Sequence, residues 1–130
     1  KKFKDNKVAY FLDGSDTTPT DINDFVSTGS SMLDLATRQQ ILTYISDYNV
    51  LSAALLPHAS KAHYGNTQMA SLDHSMWFFR DFDFKDWMLF SIESTSASSA
   101  RGFAKGNIFT RDGKLIATVA QEGLMRPIKR

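Results

Sequence analysis

The first apolar run, Val8-Ala9-Tyr10-Phe11-Leu12, is short, rich in β-branched and aromatic side chains, and ends at Asp13-Gly14, so it reads as a strand. Ser15 to Ser31 is crowded with Ser, Thr, Asp and Gly around Pro19, a composition that offers the backbone turn-type hydrogen bonds in place of a ladder. A loop is expected there, with a helical turn at Ile22 to Val26. Leu35 to Leu56 contains neither Gly nor Pro, Asp34 stands where a cap belongs, and Pro57 ends the run, which predicts a long helix. At ~100° per residue, Ile41, Tyr44, Ile45, Tyr48, Leu51 and Leu55 fall on one arc, the expected buried face, with Arg38, Gln39, Thr43, Ser46 and Asn49 outside it. Asp47 projects between Leu51 and Ala54, which puts a carboxylate at the margin of the core.

After a polar turn from His58 to Thr67, runs at Gln68 to Phe79, Trp87 to Thr95, Ala100 to Thr110 and Lys114 to Glu122 predict four further strands. Arg111-Asp112-Gly113 joins the last two, and Asp-Gly tolerates the positive φ of a tight hairpin turn, so they should pair antiparallel. In the final strand Leu115, Ala117, Val119 and Gln121 share one face, so an otherwise apolar row ends in an amide. A strand, a long helix and then an antiparallel sheet with one apolar face make an α+β layout in which the sheet can wrap around the helix, the hotdog arrangement.

Composition narrows the function classes. About 55 of the 130 residues are apolar or aromatic, enough for one core and too few for two. Fifteen Lys and Arg against 14 Asp and Glu leave a net charge of +1, which gives no broad electrostatic reason to bind nucleic acid or an anionic membrane. The absence of cysteine excludes a disulfide framework, a thiolate nucleophile and Cys-ligated metal. No apolar run approaches the roughly 18 residues of a membrane span, and a soluble protein is expected. Residues 1–7 carry four lysines and read as a linker; the opening on Lys1 suits a processed product or a piece of a longer protein.

Ser71-Leu72-Asp73-His74-Ser75 holds the side chains of a catalytic triad within five positions. On a continuous strand, however, Ser71 and Asp73 share one face and His74 points to the other, so Ser71 and His74 should not meet as nucleophile and base. A Gly-x-Ser-x-Gly elbow is also missing. His58, His63, His74, Asp81, Asp83 and Asp86 match neither His-Glu-x-x-His nor a calcium loop. Gly102 and Gly106 lie within a strand and precede no helix, so they form no phosphate cradle. The aromatic row Trp77, Phe78, Phe79, Phe82, Phe84, Trp87 and Phe90 has no basic stripe beside it and suits core and subunit interface better than base stacking. Asp47 and Gln121 remain. A carboxylate facing an apolar enclosure can orient and deprotonate water while an amide or hydroxyl fixes the water's other hydrogen bonds. Residue chemistry alone leaves two readings open: such a site, or a solvated helix carboxylate and a strand-end amide.

Four strings bear on that choice: Ile45-Ser46-Asp47-Tyr48-Asn49, Ala70-Ser71-Leu72-Asp73-His74-Ser75-Met76-Trp77-Phe78, Glu93-Ser94-Thr95-Ser96-Ala97-Ser98-Ser99-Ala100-Arg101-Gly102-Phe103, and Val119-Ala120-Gln121-Glu122-Gly123-Leu124-Met125-Arg126. Together they resemble the acyl-CoA thioesterase II family, the bacterial TesB enzymes and their peroxisomal relatives, from about Val8 to Arg126. Only the loop from Gly14 to Leu33 looks unlike the family. The resemblance implies two hotdog halves in one chain, of which this sequence corresponds to the second: a linker at 1–7, the hotdog domain at 8–126 and a tail at 127–130. It also implies hydrolysis of fatty acyl-CoA by water held between a helix Asp, a strand Ser or Thr and a Gln before Glu-Gly, positions that fall here on Asp47, Ser71 and Gln121.

The acyl chain is then expected in an apolar tunnel between helix and sheet. No cofactor or metal is implied, and the expected partners are the acyl-CoA substrate, the N-terminal hotdog half and further copies in a homo-oligomer, with neither nucleic acid nor membrane. After Trp77-Phe78 the family commonly has His then Arg-Pro, where this chain has Phe79-Arg80-Asp81, a departure that leaves the proposed water-holding residues untouched. Two alternatives stand beside this reading: a hotdog hydratase or dehydratase, which would pair Asp and His near the helix start where this helix holds no His, and a non-catalytic half serving packing and assembly, which the presence of all three polar residues argues against. The ending Pro-Ile-Lys-Arg differs from a Ser-Lys-Leu peroxisomal signal, so a bacterial cytoplasm is expected.

Overall fold

The computed structural model describes residues 7–12, by their backbone, and 33–128; Lys1 to Asn6, the helical turn expected at Ile22 to Val26, and Lys129 and Arg130 lie outside the described residues. The helix begins at its expected cap. Asp34 Oδ1 accepts the Thr37 backbone N–H at 2.8 Å, satisfying one of the donors that a helix start leaves unpaired. Hydrogen bonding from Thr37, through its side chain first and its backbone second, holds the Asp34 carboxyl below its ordinary value. Helix α1 spans Leu35–Val50, turns at Leu51, and continues as the one-turn α2, Ser52–Leu55, and a 3-10 turn, Leu56–His58, with Pro57 in its first turn.

The buried face of α1 differs from the predicted arc. Leu42, Ser46 and Val50 are fully buried, whereas Tyr44 and Tyr48 are 51% and 44% exposed. The arc counted both tyrosines as core, but a phenol keeps its polar tip in water at little cost, and here the two hydroxyls bond each other at 2.7 Å. Ser46 tolerates burial because its hydroxyl lies 2.9 Å from both the Thr43 carbonyl and His74 Nε2.

Six strands form one antiparallel sheet: β1 (Lys7–Leu12), β2 (Thr67–Ser71), β3 (Ser75–Phe78), β4 (Met88–Ser98), β5 (Arg101–Thr110) and β6 (Leu115–Pro127). The order is β1-β4-β5-β6-β2, and β3 also pairs with β6. The β5–β6 hairpin turns at Gly113, φ 85°, as the Asp-Gly signal predicts. The run expected as one strand from Gln68 to Phe79 is instead broken. Ser71 faces Gly123 and Ser75 faces Ala120, so four steps along this edge answer three along β6. One extra residue is inserted, and the alternation of faces slips by one across it. The break is held at Glu122, whose carbonyl accepts from Leu72 N and Asp73 N and whose N–H donates to Asp73 Oδ1 at 2.7 Å.

Leu42, Val50 and Ala53 from the helical segment meet Phe90 and Ile92 of β4, Ala104 and Ile108 of β5, and Ala117 and Val119 of β6 in one core. The sheet wraps around the helical segment, and the fold is the expected hotdog. Those side chains pack against one another between helix and sheet. Closest approach occurs at two glycines. A Cβ on Gly123 would come within 2.2 Å of Leu51 Cδ2, and one on Gly102 within 2.8 Å of Ala54 Cβ and 2.2 Å of Met125 Sδ.

Gly102→Ala is therefore expected to destabilise the domain by about 1–3 kcal/mol, the usual range for an overpacked core, because Ala54 Cβ has no rotamer to escape into. A urea titration tests it: the midpoint should fall, and an unchanged midpoint would show that the helix is free to lift.

Candidate active site

Leu51, seated over Gly123, fixes how deep the C-terminal end of the helix lies on the sheet. Asp47 stands one turn earlier on α1, and Ser71, the last residue of β2, is the cross-strand partner of Gly123. The two side chains meet: Ser71 Oγ donates to Asp47 Oδ1 at 3.0 Å. Gln121 lies two positions before Gly123 on β6 and points to the same face. It is fully buried, and its Nε2 donates to Ser71 Oγ at 2.6 Å. The expected trio of Asp47, Ser71 and Gln121 is thus one hydrogen-bonded group centred on a serine oxygen.

A fourth side chain closes the group. His74 Nδ1 lies 2.5 Å from Gln121 Oε1, Nε2 lies 2.9 Å from Ser46 Oγ, and Nδ1 is 3.8 Å from Asp47 Oδ1. Because Ser46 and Asp47 are adjacent on α1, the bonds form a closed circuit from the helix through the β2–β3 edge and β6 and back. His74 does not bond Ser71 directly; the Gln121 amide stands between them. The expectation that His74 points away from Ser71 fails because it assumed unbroken alternation from 71 to 74. Its signal in the sequence was Asp73, whose short carboxylate can take a ladder position by bonding backbone N–H.

The setting of Asp47 also differs from the expected core margin. Its side chain is 49% exposed, against 15% for His74, and its neighbours Tyr44 and Tyr48 are open as well. The hydrogen bond to Tyr44, ahead of desolvation and the charge of Asp47, raises the Tyr48 phenol above its ordinary value, which keeps Tyr48 a neutral neighbour of the carboxylate. Among the described residues no group of three or more His, Cys, Asp or Glu stands together as a metal site. No described helix is long and apolar enough to cross a membrane. Chemically the group presents one exposed carboxylate and one exposed hydroxyl with fixed donor and acceptor directions, backed by one buried amide.

The family model described as acyl-CoA thioesterase matches residues 10–124. The chain belongs to the acyl-CoA thioesterase family. Acyl-CoA thioesterase 2 of Haemophilus influenzae is 44% identical over 102 residues, covering 78% of this chain and 36% of that protein. Acyl-coenzyme A thioesterase 8 of Mus musculus is 51% identical over 86 residues, covering 66% of this chain and 26% of that one. The crystal structure of the acyl-CoA thioesterase II TesB2 from Mycobacterium marinum superposes with a TM-score of 0.67 at 41% identity, over 72% of this chain and 36% of that chain. AziG of S. sahachiroi, at 10% identity and a TM-score of 0.65, shares the fold over 95% of this chain and 87% of its own. The chain thus spans between a quarter and about a third of the thioesterases it matches at high identity.

Replacing Gln121 by Leu would leave the Nδ1 side of a mostly buried His74 without an acceptor and Ser71 without its donor. Gln121→Leu is expected to cost about 1–3 kcal/mol, the penalty of an unsatisfied buried polar group. A urea midpoint equal to that of the unsubstituted chain would mean that water replaces the amide.

Proposed function

We propose that this chain carries the water-activating group of an acyl-CoA thioesterase that hydrolyses fatty acyl-CoA to free fatty acid and coenzyme A. The supporting observation is the Ser71 hydroxyl, fixed as donor to Asp47 and acceptor from Gln121. In this reading Asp47 takes a proton from water, Ser71 and Gln121 orient that water, and its oxygen bonds to the thioester carbonyl carbon. The tetrahedral adduct then expels sulfur, the C–S bond breaks, and the proton held by Asp47 passes to the thiolate. The half-exposed Tyr44, Tyr48 and Leu72 beside Asp47 and Ser71 offer the acyl chain an apolar path. The location we propose is a bacterial cytoplasm, supported by the match to a bacterial relative over 78% of this chain.

The direct bond from Ser71 to Asp47 also favours a second reading, in which the carboxylate activates the serine and an acyl-Ser71 forms. The first is preferred because the Gln121 N–H occupies a lone pair of Ser71 Oγ and damps its attack. Asp47→Asn is expected to lower kcat by ~10²–10⁴ without unfolding the domain, the range for loss of a general base. Ser71→Thr should retain substantial activity and Ser71→Ala should be clearly impaired. Rapid-quench kinetics should show no burst of coenzyme A release, and mass spectrometry no acylated protein; a kinetically competent acyl-Ser71 would establish the second reading. An Asp47→Asn variant with full activity would refute both.

The partner we propose is the other hotdog half of the same enzyme. It would lie along β2 and β3, which among the described residues have no second neighbouring strand and beside which Leu72, Trp77 and Phe79 are about half exposed. A face of that kind on a free domain drives association. The isolated 130-residue chain is therefore expected to self-associate in light scattering, or to bind the other half when the two are mixed. A stable monomer at high concentration would count against this surface.

A further inference from the structure

We propose that His74 is a positioning residue for this hydrolysis, its ring fixing which end of the Gln121 amide faces Ser71; the proposal rests on the thioesterase reading of the same site. An amide has a donor end and an acceptor end of nearly equal shape, so packing alone does not tell them apart. Gln121 is fully buried between two polar neighbours, with Nε2 at 2.6 Å from Ser71 Oγ and Oε1 at 2.5 Å from His74 Nδ1. In this orientation the amide donates to Ser71, and the single Ser71 proton is free for Asp47 at 3.0 Å. Turned over, the amide would present its carbonyl to Ser71 and draw that proton away from Asp47. What decides between the two is whether His74 Nδ1 carries hydrogen: a protonated Nδ1 requires the carbonyl, and a bare one requires the amide nitrogen.

One neighbour favours hydrogen on Nδ1 and a second accommodates it. The Asp47 carboxylate lies 3.8 Å from that nitrogen, and a negative charge favours an N–H on the side that faces it. On the other side Ser46 Oγ lies 2.9 Å from Nε2. With a neutral ring protonated on Nδ1, Ser46 donates to Nε2. With a charged ring, Nε2 donates to Ser46, which turns its own proton to the Thr43 carbonyl 2.9 Å away. In both of these states Nδ1 is protonated and the amide faces the same way; the remaining state, a neutral ring donating from Nε2 to a Ser46 that itself donates to Thr43, is the one the Asp47 charge disfavours. The remaining carboxylates nearby are engaged elsewhere: Asp73 accepts the Glu122 backbone N–H at 2.7 Å, and Glu122 pairs with Arg101 at 3.7 Å. In the neutral state the hydrogen bonds run in one direction, from Ser46 through His74, Gln121 and Ser71 to Asp47. His74 touches neither the attacking water nor the thioester in this scheme; it acts through Gln121.

The test uses the full-length enzyme with decanoyl-CoA. His74→Leu should lower kcat by about tenfold to a hundredfold, the scale on which a supporting group or a small misplacement acts, and leave KM little changed. His74→Asn puts a side-chain N–H near the former Nδ1 position and should recover a clear part of the lost kcat. Ring ¹⁵N resonances of the unsubstituted enzyme should show hydrogen on Nδ1 of His74. A folded His74→Leu enzyme with undiminished kcat, an Asn variant no better than Leu, or a proton on Nε2 alone would each overturn the proposal. An unsubstituted enzyme that does not hydrolyse decanoyl-CoA or other acyl-CoA esters would sink the functional reading instead. The tautomer would still judge His74: hydrogen on Nδ1 supports the positioning role, and hydrogen on Nε2 alone removes it.

Discussion

The contact between Leu51 and Gly123 sets the geometry of everything around it. A leucine can settle onto a strand backbone only where the strand lacks a Cβ, and Gly123 supplies that place. The next contact along the helical segment, Ala54 over Gly102, repeats the arrangement on the neighbouring strand, since Gly102 and Gly123 are partners across β5 and β6. Two such seats define both the height of the helical segment above the sheet and its register along it. The hydrogen-bonded group of Asp47, Ser71 and Gln121 inherits that register. Ser71 is hydrogen-bonded beside Gly123, and Asp47 is one turn before Leu51, so the distance between carboxylate and hydroxyl is decided by apolar packing that neither group takes part in.

The second constraint is the break in the edge between β2 and β3. Had the strand continued, Ser71 and His74 would point to opposite faces, and Gln121 would have met the serine alone. The inserted residue costs ladder hydrogen bonds, which Glu122 and the Asp73 carboxylate recover locally. Its gain is a histidine on the same side as the serine, close enough to a buried amide to hold it. Bulges near active sites commonly re-aim a side chain in this way. The closed circuit that results ties α1 to three strands through polar bonds, and among the described residues no buried side-chain nitrogen or oxygen is left without a partner.

Much of this was legible in the sequence, unevenly. The Asp34 cap, the stop at Pro57, the Asp-Gly hairpin and the inward row ending at Gln121 are local signals, and each appears where its chemistry places it. The strings around Asp47, Ser71 and Gln121 carried the family and the three site positions. The helix face did not read correctly, because apolar residues on α1 do not form one clean stripe. Tyr44 and Tyr48 count as hydrophobic in a projection but lie open, while Ser46 counts as polar and is buried through bonds to residues 28 and 30 positions away, His74 and Met76. The β2–β3 break was illegible for a related reason: its cause is a mismatch of register with β6, a property of two strands that neither string shows alone.

The exposure of Asp47 gives the arrangement its last step of logic. A carboxylate half in water is screened, and its attraction for a developing positive charge is weaker than the same group would show in a dry site. The serine and the amide beneath it are already fixed, so the missing element is a cover and not a further catalytic group. Half-exposed apolar and aromatic side chains flank the group on two elements, Tyr44 and Tyr48 on α1 and Leu72, Trp77 and Phe79 along the β2–β3 edge. A body packed there would bury aromatic area, shield the open strand edge and dry the carboxylate in one event. On the proposed reading, assembly and catalysis are then coupled by burial: the group that binds water is complete within this chain, and the low dielectric that makes it effective comes from what packs against it.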